Sequence, residues 1–124
     1  MGEIHNSLRK FLNGLKLILI KFDRFLETLN IDLLNEIAND FINLGNSLYA
    51  EFGSISHRVL CVTALEAGLK LRERYQELQS RSINSRDLEY FNDVYNIFKY
   101  IANKIESGEY EEELIKMKKS REKW

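Results

Sequence analysis

Residues 4–29 read IHNSLRKFLNGLKLILIKFDRFLETL, and their apolar spacing decides the fold. Ile4, Leu8, Phe11, Leu15, Ile18, Phe22, Phe25 and Leu29 follow one another at alternating steps of four and three. Those steps average close to one helical turn, so the eight side chains fall on one face of a single long helix. Leu12, Leu19 and Leu26 recur beside that seam and widen it into the stripe a globular helix buries. A strand would need alternation at every second residue, which is absent. Gly14 sits within the pattern, where it costs about 1 kcal/mol relative to alanine and marks a candidate bend.

Working outward, Asn30 suits the cap of a second helix over residues 31–52, in which Leu34, Ile37, Phe41, Leu44 and Leu48 repeat the same steps. Gly53 and Ser54 are stop and restart signals. A third helix is expected over about 55–79. Its first half, Val59 to Leu71, is nearly all apolar or small and is expected to be the most buried stretch. Ala64, Ala67 and Gly68 form a strip on which a neighbouring backbone can lie close. Arg72 through Glu77 is expected to project into solvent. Residues 80–85 show no period and read as a loop. Asn84 and Asp87 stand at capping-box spacing, opening a fourth helix that runs to about 106 on Leu88, Phe91, Tyr95, Phe98, Ala102 and Ile105. Ser107 and Gly108 end it. Residues 109–124 begin acidic and finish with Lys118, Lys119, Arg121 and Lys123, an order that complements a helix dipole. Tyr110, Leu114, Met117 and Trp124 give this segment a narrow apolar face.

The expectation is an all-α protein: an antiparallel up-down four-helix bundle over residues 1–108, with a short C-terminal amphipathic helix or tail at 109–124. Phe11, Ile18, Phe22, Phe41, Leu48, Leu60, Ala64, Leu71, Phe91, Phe98 and Ile105 are the expected core. A chain of 124 residues suits one domain, and the absence of proline permits long helices. The longest aliphatic run, Leu17 to Ile20, is far below a membrane span, and the first residues lack the basic and apolar regions of a signal peptide. A soluble, cytoplasmic protein is therefore expected, with no membrane contact. A single cysteine, Cys61 in an apolar run, reads as a buried thiol. Neither histidine has a glutamate three residues before it, as helical di-metal sites require, so no metal or cofactor is expected.

With 18 basic and 19 acidic residues the net charge is −1, so no global field draws in nucleic acid. Local groups remain. Up-down topology gathers His5, His57 and nearby arginines at one end, where two imidazoles would suit metal-independent cleavage of a phosphodiester. At the other end Arg72, Arg74, Arg81, Ser82, Asn84, Ser85 and Arg86 surround a helix N-terminus, a pattern that suits phosphate or nucleic acid. Leu17 and Ile20 lie opposite the first seam, and Tyr90, Ile97 and Tyr100 face away from the fourth. Together they form a candidate outward patch, covered either by Leu114, Met117 and Trp124 or by another chain. The leading expectation is a non-enzymatic interaction module, self-associating or a small subunit of a larger assembly. A nucleic-acid-associated subunit using the Arg81–Arg86 loop comes second, and a nuclease using His5 and His57 third.

Overall fold

Among the described residues, each of the four apolar seams becomes a helix. The computed structural model describes residues 2–52 and 58–110, with 2–7 and 49–52 described as helix only. Helix α1 is Gly2–Thr28, α2 is Ile31–Phe52, α3 is Arg58–Glu77 and α4 is Ser85–Glu106. The described residues are otherwise turns and short connections without a strand, so the protein is all-α.

The boundaries have local causes. Leu29 closes α1 in the left-handed region, φ 56°, with its N–H donating to the Phe25 carbonyl at 2.6 Å. The Asn30 side chain then accepts from the Asp32 N–H at 3.0 Å and satisfies one free donor of α2. At the far end Ser107 caps α4, and Gly108 turns the chain with φ 87°.

The expected core residues, from Phe11 to Ile105, are all buried. Aromatic contacts join three helices at the centre. Phe22 meets Tyr95 and Phe25 meets Phe91 edge-on, at 5.7 and 5.1 Å between ring centroids. Phe41 lies 4.4 Å from Phe98. Such pairs add about 0.5–1.5 kcal/mol each beyond the burial of their area.

Helix pairings follow a consistent order. On α1 and α2, Gly14 lies opposite Leu44 and Lys21 pairs with Asp40 at 2.7 Å. On α1 and α4, Lys16 pairs with Glu106 at 2.7 Å, while Phe25 meets Phe91. On α2 and α3, Gly45 faces Cys61 and Leu65, Gly68 faces Ala38 and Ile42, and Arg72 bonds Asn39 at 2.6 Å. In each pair the later residues of one helix meet the earlier residues of the other.

Three expectations are corrected. The first half of α3 is not the most buried stretch, because Val59, Val62 and Leu69 are exposed while the small residues between them pack on α2. The stretch Arg72 to Glu77 projects into solvent only in part: Glu73, Gln76 and Glu77 are exposed, whereas Arg72, Arg74 and Tyr75 are half-buried. Leu29, placed in the seam by spacing, is 37% exposed because its left-handed backbone takes it off the helical face. Gly53, Ser54, His57, Leu114, Met117 and Trp124 lie outside the described residues, as does the His5 side chain.

Candidate functional site

The feature that seams do not anticipate lies where α3 gives way to α4. After Glu77 the chain leaves the helix through a turn, with the Leu78 and Ser80 N–H groups donating to Arg74 and Glu77 carbonyls at 2.9 and 3.1 Å. Asn84 is extended, with φ −113° and ψ 178°, as a helix cap requires. Its side chain accepts from the Asp87 N–H at 2.9 Å, and the Asp87 carboxylate accepts from the Asn84 N–H at 2.9 Å. This is the capping box that the spacing implies.

Asp87 does more than cap. It is fully buried, the one buried charged residue among those described. Its Oδ1 accepts from Arg74 Nη1 at 2.5 Å and from Arg81 Nη2 at 3.0 Å, and its Oδ2 accepts from Arg81 Nη1 at 2.6 Å. The bonds from Arg81, then those from the Asn84 N–H and Arg74, outweigh burial and hold the carboxyl well below the usual carboxylate range. Arg81 moves the opposite way, its pKa raised first by Asp87 and then by Glu77, whose Oε2 accepts from it at 3.1 Å. Both oxygens of this carboxylate already accept from two guanidiniums and a backbone N–H, an arrangement that suits a fixed structural charge better than a general base. Its work is electrostatic: it fixes two guanidiniums at the junction of α3, the loop and α4.

Arg74 is held on a second side by Tyr90, whose ring centroid lies 4.6 Å from the guanidinium carbon. Above this layer an open cleft of about 600 Å³ is lined by Lys70, Glu73 and Arg74 on one side and by Arg86 and Tyr90 on the other. Burial raises the Tyr90 hydroxyl, with the Lys70 and Arg74 charges opposing it. Among the described residues neither Arg86 nor the Tyr90 hydroxyl makes a hydrogen bond.

The phosphate group expected from the sequence is therefore partly dispersed. Arg72 turns to Asn39 on α2 and does not line the cleft. Arg74 and Arg81 spend donors on Asp87, and the Asp87 N–H at the start of α4 is taken by Asn84. Ser82 and Ser85 are exposed and outside the cleft lining, whereas Arg86 and Asn84 are in it. The sequence carried one signal for the cluster, an aspartate in a capping box, but nothing in spacing alone brings Arg74 and Arg81 onto it.

A second concavity separates the expected apolar patch into parts. Leu17 and Ile20, 66% and 62% exposed, line a groove of about 630 Å³ that α2 completes with Asp40, Asn43, Leu44 and Ser47. Ile97 and Tyr100 are exposed on α4 but line neither this groove nor the cleft, and Tyr90 is half-buried in the cleft. Cys61 is buried, and burial raises its thiol, as expected for a packing residue. Among the described residues no cluster of His, Cys, Asp and Glu is placed to hold a metal ion, and no helix is long and apolar enough to cross a membrane. Comparison with family models, curated proteins and solved structures gives no match to this chain.

Proposed function

We propose that the protein is a non-enzymatic helical interaction module in a cytoplasmic setting, self-associating or a small subunit of a larger assembly. Its frame on this reading is an antiparallel up-down four-helix bundle, which the pairing of late residues with early ones on α1 and α2, α2 and α3, and α1 and α4 supports. The observation that carries the function is the groove at Leu17 and Ile20. Two large aliphatic side chains one turn apart, each nearly two-thirds exposed, open onto Leu44 and Gly14. Covering a Leu or Ile side chain contributes about 1.5–3 kcal/mol, a strong drive toward contact for two adjacent residues. The polar rim of Lys21, Asp40 and Asn43 around that apolar centre resembles the plan of a protein interface.

The nucleic-acid reading is the weaker one. Of the arginines proposed for it, Arg74, Arg81 and Arg72 all have internal partners.

Light scattering on the wild type and on Leu17→Glu with Ile20→Glu tests the proposal. A self-associating chain should show a mass above 14.7 kDa that the double variant returns to monomer, with its helical circular dichroism intact. For a subunit of a larger assembly, the tagged wild type should recover a defined partner that the variant loses. Unchanged mass and unchanged partner recovery in the variant would sink the groove as the contact surface.

A further inference from the structure

We propose that the cleft between the second half of α3 and the first turns of α4 binds a small phosphorylated ligand, held by Lys70, Arg74, Arg86 and Tyr90. The four side chains come from two facing rails. Lys70 and Arg74 are one turn apart on α3, Arg86 and Tyr90 are one turn apart on α4, and all four line the same space. Residues four apart share a helical face, so each rail presents two groups together.

The rails are pre-set. One Arg74 N–H is given to the buried Asp87, and the guanidinium lies against the Tyr90 ring. A guanidinium has five N–H donors, and the Arg74 side chain remains 31% exposed, so donors are left for a ligand. Holding it in place beforehand removes rotamer entropy that binding would otherwise cost. Arg86 and the Tyr90 hydroxyl contribute donors without internal partners among the described residues. The Arg fork matches the oxygens of a phosphate, and the phenol adds a neutral donor.

Charge and size select among anions. The cleft lining holds four cations and three carboxylates, and Lys70 is also paired with Glu66, so the positive charge open to a compact anion is local and centres on Arg86. Glu73 and Glu77 also line it, and Glu66 sits beside Lys70 at 3.1 Å. A nucleic-acid strand running through would set its neighbouring phosphates against these carboxylates, whereas a single phosphorylated group would not. A volume of about 600 Å³ falls in the range of small-molecule sites, about 300–1,000 Å³.

The test is a titration of the full chain with inorganic phosphate and with pyrophosphate, followed by amide chemical shifts at about 0.15 M salt. Shifts should saturate and concentrate at residues 70–74 and 86–90. Arg86→Ala should weaken pyrophosphate binding about tenfold or more, Lys70→Ala and Tyr90→Phe by less, and Ser82→Ala with Ser85→Ala not at all. Arg86 and Lys70 are exposed, so their variants should retain the fold, which circular dichroism checks. Shifts that never saturate, or that are unchanged in Arg86→Ala, overturn the site. A short single-stranded RNA that binds more tightly than pyrophosphate through the same residues overturns the ligand class and restores the nucleic-acid reading.

Discussion

Along α3, one flank rests on α2 and the other adjoins the start of α4, and the two contacts use opposite chemistry. On the α2 side, side chains are missing. A Cβ added at Gly68 would lie 2.7 Å from the Ala38 carbonyl oxygen and 3.0 Å from the Ile42 nitrogen, and one at Gly45 would lie 2.9 Å from the Cys61 carbonyl oxygen. Two glycines, one on each helix, let the backbones nearly touch. On the α4 side, charge makes the contact, with Asp87 joining Arg74 and Arg81. Van der Waals contact between backbones is short-ranged and intolerant of added volume. An ion cluster tolerates displacement better but depends on protonation. One helix thus carries a seam sensitive to shape and a junction sensitive to pH.

The largest expected effect tests the first half of this contrast. Gly68→Val places a branched side chain against backbone atoms of α2 that cannot move aside singly. We expect a loss of at least about 3 kcal/mol in urea unfolding, at the upper end of overpacking. A loss under about 1 kcal/mol would show that α2 and α3 can separate freely and that the glycine contact is incidental.

The junction comes next. Asp87→Ala removes the capping box and leaves Arg74 and Arg81 without their shared carboxylate. Breaking a buried pair costs about 3–5 kcal/mol, but both arginine side chains are about one-third exposed and water recovers part of the loss, so about 2–4 kcal/mol is expected. The pH dependence has a definite sign. The folded-state pKa of Asp87 is lowered, so its stabilisation is complete above the ordinary carboxylate value of about 3.9 and fades as pH falls below it. Unfolding followed from pH 6 down to pH 2 should show a smaller decline in Asp87→Ala than in the wild type. Parallel declines would mean that other carboxylates carry the acid sensitivity.

The two sides of α3 were unequally legible in the sequence. The apolar periods placed the four helices and a core from Phe11 to Ile105, because burial is a property of one face and a face is written in spacing. The small-residue strip at Ala64, Ala67 and Gly68 points to close approach, but nothing in the spacing of α2 marks Gly45 as its counterpart. The capping box at Asn84 and Asp87 was legible because both partners sit within one turn. The clamp on Asp87 was not. Arg74 and Arg81 lie 13 and 6 residues away on other elements, and a capping aspartate is ordinarily wetted. The same limit explains the apolar patch: spacing showed that Leu17 and Ile20 leave the seam, but not that α2 supplies the other wall of their groove.

The smallest expected effect sharpens the comparison by repeating one chemical change at two glycines. Gly14 and Gly68 are both helical, and alanine is favoured over glycine by about 1 kcal/mol within a helix. At Gly14 an added Cβ would meet a single close atom, Leu44 Cδ1 at 2.7 Å. That atom ends a rotatable side chain that is only half-buried beside the open groove, so it can swing away at a cost near the propensity gain. Gly14→Ala should therefore shift the urea midpoint little, within about 1 kcal/mol of the wild type in either direction. Gly68→Ala has the same propensity gain, but its obstacles include the Ala38 carbonyl and the Ile42 nitrogen, which are fixed in the α2 backbone. It should lose stability by about 1–3 kcal/mol. The difference between the two alanines removes propensity and isolates what meets the new methyl group, a mobile side-chain end in one case and a helix backbone in the other. Equal losses at both positions would show that the groove wall is as rigid as the α2–α3 seam, and would take from Leu17, Ile20 and Leu44 the freedom to adjust to a partner.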